Sequence, residues 1–288
     1  MKRVLVLFIT AVLLTGCRAQ FDVNNEITVI SREDGSGTRS AFIELLGIEE
    51  KDADGNKKDN TIITADINDS TGILLANVAG NPNAIGYVSM GSLNDTVKAV
   101  SVDGVAPTAE NVANGTYGIA RPFNIAAAAV ISEVTDDFIG FIMSSDGQAI
   151  VADMGNITVS ETSAYAGSKP SGRIVVGGSS SVTPLMEKLK EGYNTLNPNA
   201  TIEIQQSDST TGMNSVINGI CDIGMASREL KDTEIAAGLT SMVIARDGIA
   251  IIIHNENTAD DLTAQQVKDI YTGVSVKWSD VIAENGEG

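Results

Sequence analysis

An α/β fold with mainly parallel strand pairing is predicted by three features of the chain. Short β-branched apolar runs recur, a turn rich in Gly, Ser or Thr follows several of them, and each such turn leads into apolar residues at helical spacing. Repeated strand, turn and helix is the pattern of βα layers, because parallel neighbours need a crossover between them. The 288 residues are enough for one large or two medium domains.

Taken in order, residues 1–17 read as an export signal. Lys2 and Arg3 form the positive region, Val4 to Leu14 the apolar region, and Leu14-Thr15-Gly16-Cys17 a lipobox whose cysteine would be acylated. A plain secretory leader with an incidental cysteine is the alternative reading. The apolar run is short for a membrane span. Ile27 to Ile30 is a strand run, "REDGSGTR" (32–39) a glycine-rich turn, and Ser40 to Leu46 the start of a helix. "KDADGNKKDN" (51–60) is a polar loop. Its Asp52, Asp54 and Asn56 imitate a calcium loop, but Lys57 stands at the sixth position and Ile63 at the twelfth, where Gly and Glu are required.

Ala84 to Val88 predicts a strand, and Phe123 to Ile131 fits strand or helix. Asp136 to Ala152 predicts one helix through Phe138, Phe141, Ile142 and Ile150. Ser160 to Gly172 is a linker, small, polar and closed by Pro170 and Gly172. After it comes a strand at Arg173 to Val176, a Gly/Ser turn, and an amphipathic helix led by Pro184 with Leu185, Leu189 and Tyr193 on one face. "ATIEIQQSDSTTGMNSVING" repeats the scheme, and "CDIGMASRELKDTE" offers a further strand and Ser-Arg turn. Met186, Met213 and Met225 fall on core faces, and Cys221 reads as a small core residue.

The formal net charge of −18 argues against nucleic acid or an anionic membrane surface as partner. A small anion is compatible, because the first N–H groups of a helix, glycine and hydroxyl donors act locally. Several such turns together with Arg32 and Arg228 point to an oxyanion held by converging donors. Enzyme motifs are absent: no GxxxxGK[ST], no GxSxG around Ser179 to Ser181, and one histidine, His254, beside an apolar run. One His and two Cys cannot build a metal cluster. No catalytic residue, cofactor or metal is expected.

At "GGSSSVTPLMEKLKEGY", "GMASRELKDTE", "ARDGIAIIIHNEN", "IYTGVSVKWSDV" and "ISREDGSGTRSAF" the chain closely resembles the phosphate-binding lipoproteins of bacterial phosphate ABC transporters, over residues 26–288. The resemblance implies a two-lobed type II periplasmic-binding-protein fold with hinge strands and phosphate between the lobes. It further implies a monomeric extracytoplasmic protein, tied to the membrane only by lipid, that delivers phosphate to permease subunits. In that family the GSSS-like segment precedes the REDGSGTR-like one. Here the order is reversed, as in a circular permutant whose linker 160–172 joins the family's usual ends; a fragment of a tandem protein is the rival account. The implied hinges are "YGIARPFNI" and "ARDGIAIII", giving one lobe of about 26–118 plus 251–288 and another of about 119–250.

Carried over position by position, the resemblance implies that Ser181 offers hydroxyl and N–H, Val182 its N–H, and Ser209 a further contact. From the other lobe Arg32 supplies the charge, while Ser36, Gly37 and Thr38 cap the anion. Arg228 stands where some members place the aspartate that accepts the proton of hydrogen phosphate. That leaves selectivity over sulfate or molybdate open unless Asp208 or another carboxylate reaches in. A lipid-anchored phosphate sensor also remains open.

Overall fold

The structure, a computed structural model, describes residues 20–52, 56–159 and 163–282. Cys17 and the rest of the expected signal lie outside them. A nine-stranded sheet organises the fold. Its strands are β1 (Thr28–Arg32), β2 (Asp66–Asn68), β3 (Ala84–Ser89), β4 (Val97–Ala99), β5 (Ala120–Ala127), β6 (Gly172–Ser179), β7 (Ala200–Ser207), β8 (Ile223–Ala226) and β9 (Thr240–His254). The order is β7-β6-β8-β5-β9-β3-β1-β2, with β4 also on β9. Strands joined by helical crossovers pair in parallel: β6 with β7 and β8, and β1 with β2 and β3. Pairing turns antiparallel where the chain passes between halves, at β5 with β8 and β9, and at β9 with β3.

Strand β9 carries this connection. Thr240 to Gly248 pair with β5, and Ile249 to Ile253 pair with β3. Two sets of apolar side chains pack about it. One gathers Phe42, Ile85, Tyr87, Ile249, Ile251, Tyr271 and Trp278, and the other Phe123, Ile174, Val176, Met186, Ile244 and Ala245. The molecule therefore has the two-lobed type II periplasmic-binding-protein fold, with β5 and β9 running between the lobes.

The principal helices are α1 (Gly37–Leu45), α2 (Thr71–Gly80), α3 (Glu133–Ile142), α4 (Ser145–Asp153), α5 (Thr183–Leu196), α6 (Ser209–Ile217) and α7 (Ala264–Thr272). The apolar periodicity predicted one helix over 136–152, whereas α3 and α4 are separate. Ser144 Oγ accepts the Gly147 N–H at 3.2 Å and so begins a new helix. The ambiguous segment 123–131 is largely β5, which has hydrogen-bonded neighbours on both sides. The polar stretch 51–60 holds part of a short hairpin, Glu49–Lys51 against Lys57–Asp59. Beyond the undescribed residues 160–162, the linker is tied to its lobe by Asp137, which accepts from Tyr165 Oη and from Tyr193 Oη, the latter at 2.7 Å.

A buried ion pair sits between the crossing strands. Arg121 of β5 donates to Asp247 Oδ2 of β9, with Nη2 at 3.2 Å. Asp247 Oδ1 also accepts from Ser89 Oγ of β3 at 2.8 Å and from Asn156 at 3.1 Å. Burial pushes the Arg121 guanidinium down to about 10 and pushes the Asp247 carboxyl up, each opposed by the partner's charge. Loss of either partner would strand the other and cost about 3–5 kcal/mol.

Candidate functional site

Four helix beginnings converge between the lobes. In the first lobe, β1 runs into the REDGSGT turn and α1. Tyr87 fixes the end of β1: its hydroxyl lies 2.9 Å from Ser31 Oγ and accepts the Arg32 N–H at 3.2 Å. Its ring stacks on Phe42 at 3.9 Å between centroids. Burial raises the Tyr87 phenol to about 12, so the hydroxyl stays protonated at neutral pH. Ser36 caps α1, accepting the Arg39 N–H at 3.3 Å. The second arginine of REDGSGTR locks the turn, as Arg39 Nη1 donates to the Arg32 carbonyl and to Asp34 and Nη2 pairs with Asp59.

Arg32 is 2% exposed. Nε and Nη2 hold the Glu33 carboxylate at 2.8 and 2.7 Å, and Nε also reaches the Asn68 carbonyl at 3.3 Å. Towards the other lobe, Nη2 donates to Ser180 Oγ at 3.0 Å, while Nη1 reaches Thr71 Oγ1 of its own lobe at 3.2 Å. Thr38 Oγ1 and Ser181 Oγ meet across the lobes at 2.8 Å. Next to them Ser227 Oγ lies 3.0 Å from Ser179 Oγ and 3.4 Å from Ser209 Oγ, and the Ser227 N–H donates to Ser209 Oγ at 3.1 Å. The hinge reaches this cluster directly, for Arg121 Nη1 donates to the Ser227 carbonyl at 3.1 Å.

Glycine is required where the lobes meet. A Cβ on Gly37 would lie 2.5 Å from Ser209 Oγ and 2.7 Å from Ser227 Oγ, and one on Gly35 would lie 2.1 Å from Asp208 Oδ1. The Gly35 carbonyl accepts the Thr210 N–H at 3.2 Å across the cleft.

Of the residues marked from sequence, Arg32, Gly37, Thr38, Ser181 and Ser209 are brought together. Ser36 is adjacent, with its hydroxyl engaged as the α1 cap. The Val182 N–H bonds the Ser179 carbonyl at 3.0 Å. Arg228 borders the cluster, but its guanidinium is engaged: it forms a two-bonded pair with Glu234, at 2.9 and 2.7 Å, and touches Thr210 Oγ1 and the Glu229 carbonyl. Buried Glu234 needs that cation. Burial would raise its carboxyl, but the Arg228 and Lys231 N–H bonds outweigh burial and hold it below its ordinary value. Asp208 caps α6 through the Thr211 N–H at 2.9 Å. Sequence reading missed Thr71, Ser179, Ser180 and Ser227; the GSSS run and the Ser beside Arg228 were the available signals.

Chemically, the cluster offers a buried guanidinium, hydroxyls and first-turn N–H groups, and it can surround a small tetrahedral oxyanion. A cavity of 390 Å³ beside it is lined by Glu33, Asp69 and Ser70 from one lobe and Gln206, Ser207 and Asp208 from the other. A larger one of 690 Å³, lined among others by Glu44, Lys57, Arg228 and Asp232, contains none of the clustered hydroxyls. Donor convergence, more than cavity size, locates the site.

Two lobes hinged on long strands, with anion donors facing each other across the cleft, are the architecture of a solute-binding protein. The chain belongs to the PBP superfamily, whose domain model matches residues 20–146 and 163–287. It is 48% identical over 272 residues to "Phosphate-binding protein PstS 2" of Streptococcus agalactiae serotype V, an alignment covering 93% of each chain. With "Phosphate-binding protein PstS" of Bacillus subtilis it shares 32% identity over 140 residues, 48% of this chain and 43% of that protein. Among solved structures it is similar to a phosphate ABC transporter phosphate-binding protein from Streptococcus pneumoniae, with 44% identity, 90% of this chain and 100% of that one covered, and a TM-score of 0.70.

Proposed function

We propose that this protein captures inorganic phosphate outside the cytoplasmic membrane and delivers it to the permease of an ABC transporter, acting as a binding protein and not as an enzyme. The observation that carries this reading is the inter-lobe cluster of Arg32, Thr38, Ser181 and Ser209. Similarity to phosphate-binding proteins along 93% of the chain supports phosphate as the anion. The ligand set is Arg32, Gly37, Thr38, Ser181 and Ser209, with Ser36 holding α1 and the Val182 N–H closing the turn before α5 on the Ser179 carbonyl. Arg228 acts by anchoring the turn after β8 through Glu234, leaving the anion to Arg32.

The lobes are taken as about 26–118 plus 251–288 and about 119–250, in permuted order relative to the commoner arrangement. Alignment of the Bacillus subtilis protein with 48% of the chain supports that order. Among the described residues no helix is long and apolar enough to cross a membrane. The lipobox at Leu14 to Cys17 supports a lipid anchor on Cys17, and the protein is taken to work as a monomer. Calorimetry with phosphate, sulfate and molybdate tests the reading: phosphate should bind tightest with one site per chain, and absence of phosphate binding, or preference for another oxyanion, rejects it.

A further inference from the structure

The first lobe holds a donor that no sequence motif marked. Thr71 is the first residue of α2 and is buried. Capping of α2 belongs to Ser70, whose Oγ accepts the Ile73 N–H at 3.3 Å. The Thr71 hydroxyl is therefore not consumed by its own helix. It lies 3.2 Å from Arg32 Nη1, 3.2 Å from Ser180 Oγ and 3.3 Å from Ser181 Oγ. Its N–H, which has no acceptor inside the helix because it falls in the first turn, lies 3.4 Å from Ser180 Oγ. One residue thus joins the guanidinium of one lobe to two serines of the other. Thr71 aims hydroxyl and main-chain N–H at a single point, the pair of donors an oxyanion accepts best. Bonds among neutral hydroxyls are weak, and charge-assisted bonds to an anion are roughly twice as strong, so an entering anion would take these donors from one another.

We propose that Thr71 is itself a phosphate-binding residue, donating from its hydroxyl and its N–H, and that α2 is the second helix of its lobe whose N-terminus faces the anion. This rests on the phosphate reading above. With α1 and α2 on one side and α5 and α6 on the other, helix beginnings from both lobes supply positive potential at the site in a chain of formal net charge −18.

The test is calorimetry with inorganic phosphate on the wild type, Thr71→Val, Thr71→Ser and Ser70→Ala, alongside thermal unfolding. Thr71→Val keeps the shape and removes the hydroxyl, so Kd should rise roughly ten- to a hundredfold, the equivalent of one charge-assisted hydrogen bond. Thr71→Ser should stay within about threefold of wild type. Ser70→Ala should lower the unfolding temperature while leaving Kd unchanged. A folded Thr71→Val protein that binds like wild type overturns the proposal, as does a Ser70→Ala protein weakened equally, which would place the effect in capping. In both cases wild-type binding leaves the phosphate reading standing. A wild-type protein that does not bind phosphate overturns both.

Discussion

Replacing Arg32 by methionine removes the guanidinium that reaches Thr71 and Ser180 and keeps most of the side-chain volume. Nη1 and Nη2 point at Thr71 Oγ1 and Ser180 Oγ, at 3.2 and 3.0 Å, and both would donate to a bound anion. Two charge-assisted bonds at about 1.5–3 kcal/mol each give about 3–6 kcal/mol. At about 1.4 kcal/mol per tenfold, phosphate affinity falls by roughly two to four orders of magnitude. A second effect has the same sign, because Glu33 loses its partner and faces the site unneutralised. Its side chain is 21% exposed, so water can solvate it and folding should survive. A double-mutant cycle with Glu33→Gln, read by calorimetry, separates the two contributions. The double variant should recover part of the loss, by the repulsion removed, and remain far weaker than wild type. A folded Arg32→Met protein within about threefold of wild-type affinity refutes the reasoning.

Gly37→Ala places a methyl 2.5 Å from Ser209 Oγ, so phosphate binding should weaken at least tenfold while the unfolding temperature, governed by each lobe's own core, stays near wild type; calorimetry and thermal melts decide. Tyr87→Phe leaves the Ser31 hydroxyl and the Arg32 N–H without their partner and should cost about 1–3 kcal/mol of stability in denaturant unfolding. The Glu234 carboxyl is held low in the folded protein, so its contribution to stability is complete above the ordinary value of 4.5 and is lost as pH falls through the lower folded value. Glu234→Gln should flatten that acid limb of the stability profile.

The alternation of strands and helices was legible because β-branched runs and amphipathic spacing report burial directly. The exact extent of α3 and α4 was not, since apolar spacing continues across Ser144 while its hydroxyl ends one helix and begins the next. The turns that hold Arg32, Thr38, Ser181 and Ser209 could be marked because each is rich in Gly, Ser or Thr and follows a strand, whereas Thr38, Ser181 and Ser209 themselves were singled out by the family resemblance. Thr71 escaped because the strand before it, β2, spans only three residues, Asp66–Asn68, and gives no apolar run. Arg228 was marked by chemistry alone. That its guanidinium would be claimed by Glu234, six residues on, depends on the turn between β8 and the following short helix, which apolar spacing does not report. The hinge pair Arg121 and Asp247 was visible only as two segments, as its partners Ser89 and Asn156 come from distant parts of the chain.

A crystal structure of the purified chain grown with phosphate addresses the central claim most directly. The account predicts one tetrahedral anion bonded to Arg32 and Thr38 from one lobe and to Ser181 and Ser209 from the other. An anion bound elsewhere, with the Thr38–Ser181 contact still intact at saturating phosphate, would contradict it.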